Sequence, residues 1–166
     1  EWFYTLPLYI DEQKFRAVHA CWDNEQIQWL KEKGVNTMNK ELLVESHKRK
    51  IIEYKIINDI LKGKEFTIPE KYAWHDKDGN MRKENRIKWW IDPINSTSKE
   101  FFFNCPEEIQ HLMIDQKIDA IIYPKDAPSV FFGHYWMNDP YPVIQSGNII
   151  CLDYSIANEG ILAAYR

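Results

Sequence analysis

A chain of 166 residues is long enough to bury one hydrophobic core and too short to expect two domains of ordinary size, so residues 1–166 read as a single domain. With 45% hydrophobic and 28% charged residues it has the balance of a soluble globular protein. No apolar run approaches the roughly 18–20 residues that a bilayer span requires. A net charge of −4 leaves no broad basic surface, which argues against general nucleic-acid binding.

Taken in order, Lys14 to His19 alternates as a strand does and delivers His19 to its C-terminal end. Asp23 followed by Gln26 has the spacing of a helix cap, and Ile27, Trp29 and Leu30 form an apolar stripe that Gly34 can terminate, predicting a helix over 24–33. Ile52, Ile56, Ile57, Ile60 and Leu61 recur at helical spacing and predict the longest helical segment over 41–61, broken near His47-Lys48-Arg49-Lys50. That basic cluster reads as a solvated helix face. Residues 62–100 mix prolines, glycine and charge with islands such as Trp89-Trp90-Ile91, which predicts irregular connections and one further helix.

Pro106 with Glu107 and Glu108 predicts a helix start, and an end near Gln116. Strands are then expected at 118–123, 129–133, 148–153 and 161–165. The last two flank Asn158-Glu159-Gly160 as a hairpin. The fold class is therefore α/β (α+β), with helices early and strands late. Apolar residues close to both ends, Trp2-Phe3-Tyr4 and Ile161 to Tyr165, read as a mark of a truncated segment, since natural termini are commonly polar.

Among five histidines, His47, His75 and His111 sit in polar settings and read as solvated. His19 and His134 each end an apolar strand, and Gly133 before the latter would let neighbouring groups approach its backbone. Pattern alone favours ordinary packing for both, because a metal centre needs three or more donors. Asp76-Lys77-Asp78-Gly79-Asn80 imitates a calcium loop, but Met81 and Ile87 stand where the turn glycine and the bidentate glutamate belong, so it reads as a surface turn. Cys21, two residues after His19, is a weak candidate nucleophile. Three widely spaced cysteines without a Cys-x-x-Cys pair fit a reducing cytoplasm.

Whole segments carry more information. Leu6-Pro7-Leu8-Tyr9 through Val18-His19-Ala20-Cys21-Trp22-Asp23 resembles the fourth metal-binding motif of bacterial calcineurin-like metallophosphoesterases, in the serine/threonine phosphatase and diadenosine-tetraphosphatase group. Val130-Phe131-Phe132-Gly133-His134-Tyr135-Trp136 is similar to that group's last metal motif. Asn148 to Tyr154 and Gly160 to Arg166 resemble its closing hairpin. Ile60 to Gly63, His75 to Gly79 and Ile87 to Trp90 also look like recurring segments of these proteins, so the likeness spans nearly the whole chain.

The resemblance implies the C-terminal part of the metallophosphatase β-sandwich, flanked by helices. It implies a centre of two divalent metal ions (manganese, iron or zinc) in the complete enzyme, with His19 and His134 as ligands from opposite sides and Asp153 supporting them from behind. The family's Gly-Asp-x-His-Gly, second aspartate and Gly-Asn-His-Glu motifs do not occur in this sequence. The expectation is a fragment that is inactive alone and does not hold the metals by itself. The complete enzyme would act on a phosphoprotein or a dinucleoside polyphosphate. The alternative is a catalytically silent interaction module that keeps the fold. Without the N-terminal half of the sandwich, the segment is expected to expose strand edges and to self-associate through them.

Overall fold

The computed structural model describes residues 1–48, 51–68, 70, 73–75, 79–114 and 121–166. In chain order its elements are β1 (Tyr9–Asp11), β2 (Phe15–Val18), α1 (Asn24–Glu32), α2 (Lys40–Glu45), α3 (Ile52–Lys62), β3 (Glu65–Thr67), β4 (Trp74–His75), β5 (Met81–Arg82), β6 (Glu84–Arg86), α4 (Ser98–Phe101), β7 (Ser129–Phe132), β8 (Ile144–Ser146), β9 (Ile149–Cys151), β10 (Asp153–Tyr154) and β11 (Ile161–Leu162). The architecture is a mixture of α-helices and β-sheets. The elements fall into two compact units, one formed by Glu1–Lys62 with Tyr123–Arg166, the other by Gly63–Ile122.

The first unit is organised by a five-stranded sheet of order β1-β2-β7-β9-β8. Strands β2, β7 and β9 run parallel, while β1 and β8 flank them antiparallel. Every residue of β9 is buried, as expected for a strand enclosed by neighbours, and β7 alternates, with Val130 and Phe132 inside. On the other face Phe131 meets Phe15 and Tyr165 edge-on, at centroid distances of 6.5 and 5.3 Å.

Helix α1 forms as the sequence predicts. The Asp23 carboxylate accepts from the backbone of Glu25 and Gln26, satisfying donors that the first turn leaves unpaired. At the far end Gly34 is left-handed (φ 66°) and Val35 N–H donates to the Leu30 carbonyl at 2.9 Å, a Schellman closure. Gln26 does not complete a capping box. Its side chain donates instead to Asp59 on α3 at 2.6 Å, and the Asp59 carboxylate also accepts from Lys55. Ile56, Ile57 and Ile60 give α3 its buried stripe.

The break predicted in the 41–61 segment falls between α2 and α3. His47 and Lys48 lie past the end of α2 and not on a helix face; Arg49 and Lys50 lie outside the described residues. Of the strand expected at 118–123, Ile121 to Tyr123 belong to no strand, and 118–120 lie outside the described residues. The closing hairpin also differs from expectation. β9 is committed to β7 and β8, so β11 pairs with β10 instead. Gly160 is essential there, because a Cβ would lie 1.9 Å from the Tyr154 carbonyl oxygen.

The second unit is built of small pieces. β3 pairs with β6 and β4 with β5, each an antiparallel two-stranded ribbon. Among the described residues the further helix expected here is α4, a single turn held by a capping box between Thr97 and Glu100. The helix expected over 106–116 is reduced to a 3-10 turn, Glu107–Ile109. The carbonyls of Gln110 and Leu112 accept from Lys99 and Ser98, and Ile114 N–H donates to Ser96, so cross-chain bonds take the groups a longer helix would use. Its last residues, 115 and 116, lie outside the described residues, as do 76–78 of the calcium-like turn. Trp89, Phe101, Phe102, Ile87 and Ile109 are the buried apolar residues around which these pieces gather.

Candidate functional site

Three neighbouring parallel strands end side by side, and the residues that follow them carry His19, His134 and Asp153. The C-terminal edge of parallel strands is where α/β sheets commonly build sites, because side chains on adjacent loops converge there. The register brings this about. Ala17 lies opposite Phe131, and two residues on, Gly133 N–H donates to the His19 carbonyl at 2.9 Å. The imidazoles of His19 and His134 then face each other with ring centroids 5.1 Å apart, tilted by 48°. On the next strand Phe132 lies opposite Cys151, and Asp153 follows two residues later, its Cβ 3.5 Å from where a Gly133 side chain would begin.

The backbone at this edge is unusual. His134 (φ 68°), Trp136 (φ 49°) and Ser155 (φ 58°) all adopt the left-handed conformation that side chains other than glycine rarely take. Such residues cost about 1–3 kcal/mol each and persist only where the surroundings enforce them. Met137 does the enforcing. Its N–H donates to the Asp153 carbonyl at 2.9 Å, and its own carbonyl accepts from the Ser155 hydroxyl at 3.1 Å. On the opposite loop Ala20 N–H donates to the Ile60 carbonyl in the last turn of α3 at 2.8 Å, which fixes the residue following His19. A network under Tyr154 secures the floor. Its buried hydroxyl accepts from Val143 N–H and the Gln145 side chain and donates to the Val143 carbonyl.

The two imidazoles sit in different surroundings. His19 is exposed by area and His134 half-buried. Crowding of His19 by the adjacent loops nevertheless desolvates its ring and holds its pKa below the ordinary 6.5, while the Asp153 charge pulls the other way. Near neutral pH His19 is therefore a neutral imidazole, the form able to donate a lone pair. The Asp153 carboxylate is partly engaged, accepting from Ser155 N–H at 3.2 Å.

The remaining candidates separate clearly. Cys21 is fully buried, which removes it as an accessible nucleophile, and burial pushes the Cys151 thiol up to about 12, making it inert. His47 is exposed, with Nδ1 at 2.6 Å from the Leu43 carbonyl; His75 lies exposed in β4 and His111 exposed after the 3-10 turn. A side chain at Gly133 would make only ordinary contacts of 3.5 Å or more, so no close approach requires glycine there.

The sequence reading missed Met137 and Ser155, which brace the site through the backbone. Their signal was weak: Ser155 offered a hydroxyl two residues past a predicted strand end.

A ring separation of 5.1 Å lets both imidazoles face one small ion through bonds of about 2.1 Å. Two donors are nevertheless too few, and among the described residues no group of three or more His, Cys, Asp or Glu side chains is placed to hold a metal ion. Among the same residues no helix is long and apolar enough to cross a membrane. No family model, curated protein or solved structure matches the chain.

Proposed function

We propose that His19 and His134 are two donors of a metal-dependent phosphoesterase centre whose other donors come from sequence beyond these 166 residues. The single observation that carries this reading is their convergence at one sheet edge, with His134 held in a strained left-handed backbone. Its context is the ordered resemblance to calcineurin-like metallophosphoesterases. In this reading the five-stranded sheet is one layer of that family's sandwich, Asp153 steadies the pair from the adjacent strand, and the substrate is a phosphoprotein or a dinucleoside polyphosphate. When bound, two divalent ions would supply Lewis-acid stabilisation of the charge that builds on the phosphoryl group. This chain's part is to present two imidazoles from braced loops, that of His19 neutral near neutral pH.

The test is manganese-dependent hydrolysis of an aryl phosphate by the chain as it stands, and by the chain extended with its natural upstream sequence. We expect activity in the extended protein alone, lost with His19→Ala or His134→Ala. Robust activity of the 166-residue chain, or an extended protein indifferent to both substitutions, would refute the assignment.

A catalytically silent interaction module is the second reading. β8 lies at the rim of the five-stranded sheet with Ile144 exposed, and Leu162 in β11 is 83% exposed, so strand edges and apolar side chains are available for pairing with a second copy. Sedimentation that depends on concentration, reduced by Ile144→Lys, would favour it.

A further inference from the structure

Arg16, on β2, carries a charge largely withdrawn from water, its side chain being 21% exposed. Such a charge is costly unless it is paired and hydrogen-bonded, and Arg16 is held from three directions. Its Nε donates to Asp11 Oδ1 at 2.7 Å, from the residue directly opposite on β1. Its Nη1 donates to the Tyr123 hydroxyl at 3.1 Å. Its Cζ lies 5.1 Å from the centre of the Trp22 ring, within reach of a cation–π contact.

The partners are fixed in turn. The Tyr123 hydroxyl donates to the Pro128 carbonyl at 2.6 Å, and Pro128 immediately precedes β7. Trp22 is 1% exposed, donates through Nε1 to Asn24 Oδ1 at 2.9 Å and meets Tyr9 edge-on at 6.4 Å. Asp11 also pairs with Lys31 in α1. Neutralising Asp11 is therefore a task Lys31 shares, and what Arg16 adds is its hold on Trp22 and Tyr123.

Those two residues lead to the candidate site. Arg16 and Trp22 stand three residues before and three residues after His19, so their contact closes a loop with His19 at its middle. Tyr123 and Pro128 hold the entry to the strand that ends at His134. One guanidinium thus grips both histidine-bearing segments. The ladder it spans is short: β2 and β7 share the pairs Phe15↔Ser129, Arg16↔Val130 and Ala17↔Phe131. A slip of one residue there would turn the side chains of β2 to the opposite face, and His19 with them.

We propose that Arg16 is the positioning residue of the His19–His134 pair, fixing where the His19 loop stands relative to the strand that carries His134. It acts through Trp22 and Tyr123 and not at the reacting atoms. Its catalytic consequence rests on the phosphoesterase reading; its geometric content does not.

The experiment compares the 166-residue chain with its Arg16→Lys and Tyr123→Phe variants in the presence of a metal chelator. Lysine keeps a charge beside Asp11 but is a point charge, unable to replace a planar fork that also reaches Tyr123 and lies against Trp22. Tyr123→Phe keeps the ring and deletes the hydroxyl. Two NMR signals are read. One is the nuclear Overhauser effect between the His19 and His134 ring protons, which falls so steeply with distance that a displacement of about 1 Å, enough to impair catalysis, weakens it several-fold. The other is hydrogen-exchange protection of the Val130 and Leu152 amides, which bond across β7 and β9 to Asn148 and Phe132. In Arg16→Lys the ring-to-ring effect should weaken several-fold while both amides stay protected, and Tyr123→Phe should follow by a smaller amount. The proposal is overturned if the effect survives in Arg16→Lys, or if it is lost only together with amide protection in both variants, the behaviour of an ordinary structural ion pair. Should Arg16→Lys lose the ladder, Tyr123→Phe decides alone by the same two signals.

Kinetics of the chain extended with its natural upstream sequence separate this proposal from the reading it extends. If the unsubstituted extended protein has no phosphoesterase activity, that reading fails and the ring-to-ring result still decides the role of Arg16. If it is active and depends on His19, Arg16→Lys should lower kcat by about ten-fold or more with KM little changed, and an unchanged kcat would overturn the positioning role.

Discussion

In the unit formed by residues 1–62 and 123–166, apolar residues come in runs such as Val130-Phe131-Phe132 and Ile149-Ile150-Cys151, and each run becomes a strand of one continuous sheet. In residues 63–122 the buried apolar residues come singly or, at Phe101-Phe102, as a pair, and among the described residues they accompany two short ribbons and a one-turn helix. A run specifies both a strand and its burial on two faces. An isolated aromatic specifies only that something must cover it. The first unit therefore draws its order from backbone pairing, the second from a few large side chains.

The largest effect should come from Gly160→Ala, which drives a Cβ into the Tyr154 carbonyl oxygen and should cost roughly 4 kcal/mol or more if the closing hairpin cannot relax. Hydrogen exchange then breaks or sharpens the comparison. Loss of protection confined to the first unit would mean that the two unfold separately, whereas parallel loss in residues 63–122 would mean a shared transition.

Trp89→Ala removes a side chain that is 1% exposed from the second unit and should cost about 3–5 kcal/mol, read from chemical denaturation. If the loss is under about 1 kcal/mol, the second unit does not rest on its aromatics. Tyr154→Phe deletes the hydroxyl beneath Val143 and Gln145 and should cost about 1–3 kcal/mol, measured the same way.

His134→Gly should go in the opposite direction. Glycine accepts the left-handed backbone freely, so stability should rise by about 1 kcal/mol as the imidazole is lost. A fall would show that the ring contributes more by contact than its backbone costs.

The smallest effect concerns protons. The folded pKa of His19 lies below 6.5, so between those two values the unfolded chain holds more proton, and stability declines as pH falls through that window. Asp153→Asn removes the charge that raises the His19 pKa and keeps an oxygen for Ser155 N–H, so NMR titration should place His19 lower still. An unchanged or higher value would remove Asp153 from the electrostatics of the site.

The same contrast explains what the sequence disclosed. Helix α1 was legible to within a residue or two because Asp23, the Ile27–Leu30 stripe and Gly34 each act locally. The strand leading to His19 was legible by alternation and the one leading to His134 by its apolar run, and so was their placement at strand ends. Their facing each other was not, since it follows from a parallel register between residues far apart in the chain. Strand β8 was missed although Ser146-Gly147-Asn148 is a turn signal, and Gly147 does adopt φ 49°. The 106–116 helix was over-read because Pro106 and two glutamates announce a helix start, while the competing partners, Ser98 and Lys99, lie outside any local window. The buried, unpartnered side-chain donors of Asn85 and Trp74 gave no warning at all, because an unpartnered donor is a property of the folded surroundings.

The discontinuity of the first unit also bears on how the chain reaches its fold. Arg16 and Tyr123 hydrogen-bond across 107 positions, and β2 cannot find β7 until everything between them has been synthesised and brought round. Loop-closure cost grows only by about 0.6 kcal/mol per doubling of length, so the intervening segment taxes stability little. It should tax speed far more, because pairing of distant strands is the slow step in folding. Until that step is complete, β2 and the loop carrying His19 wait with an open edge, the stage at which this protein is most exposed to aggregation.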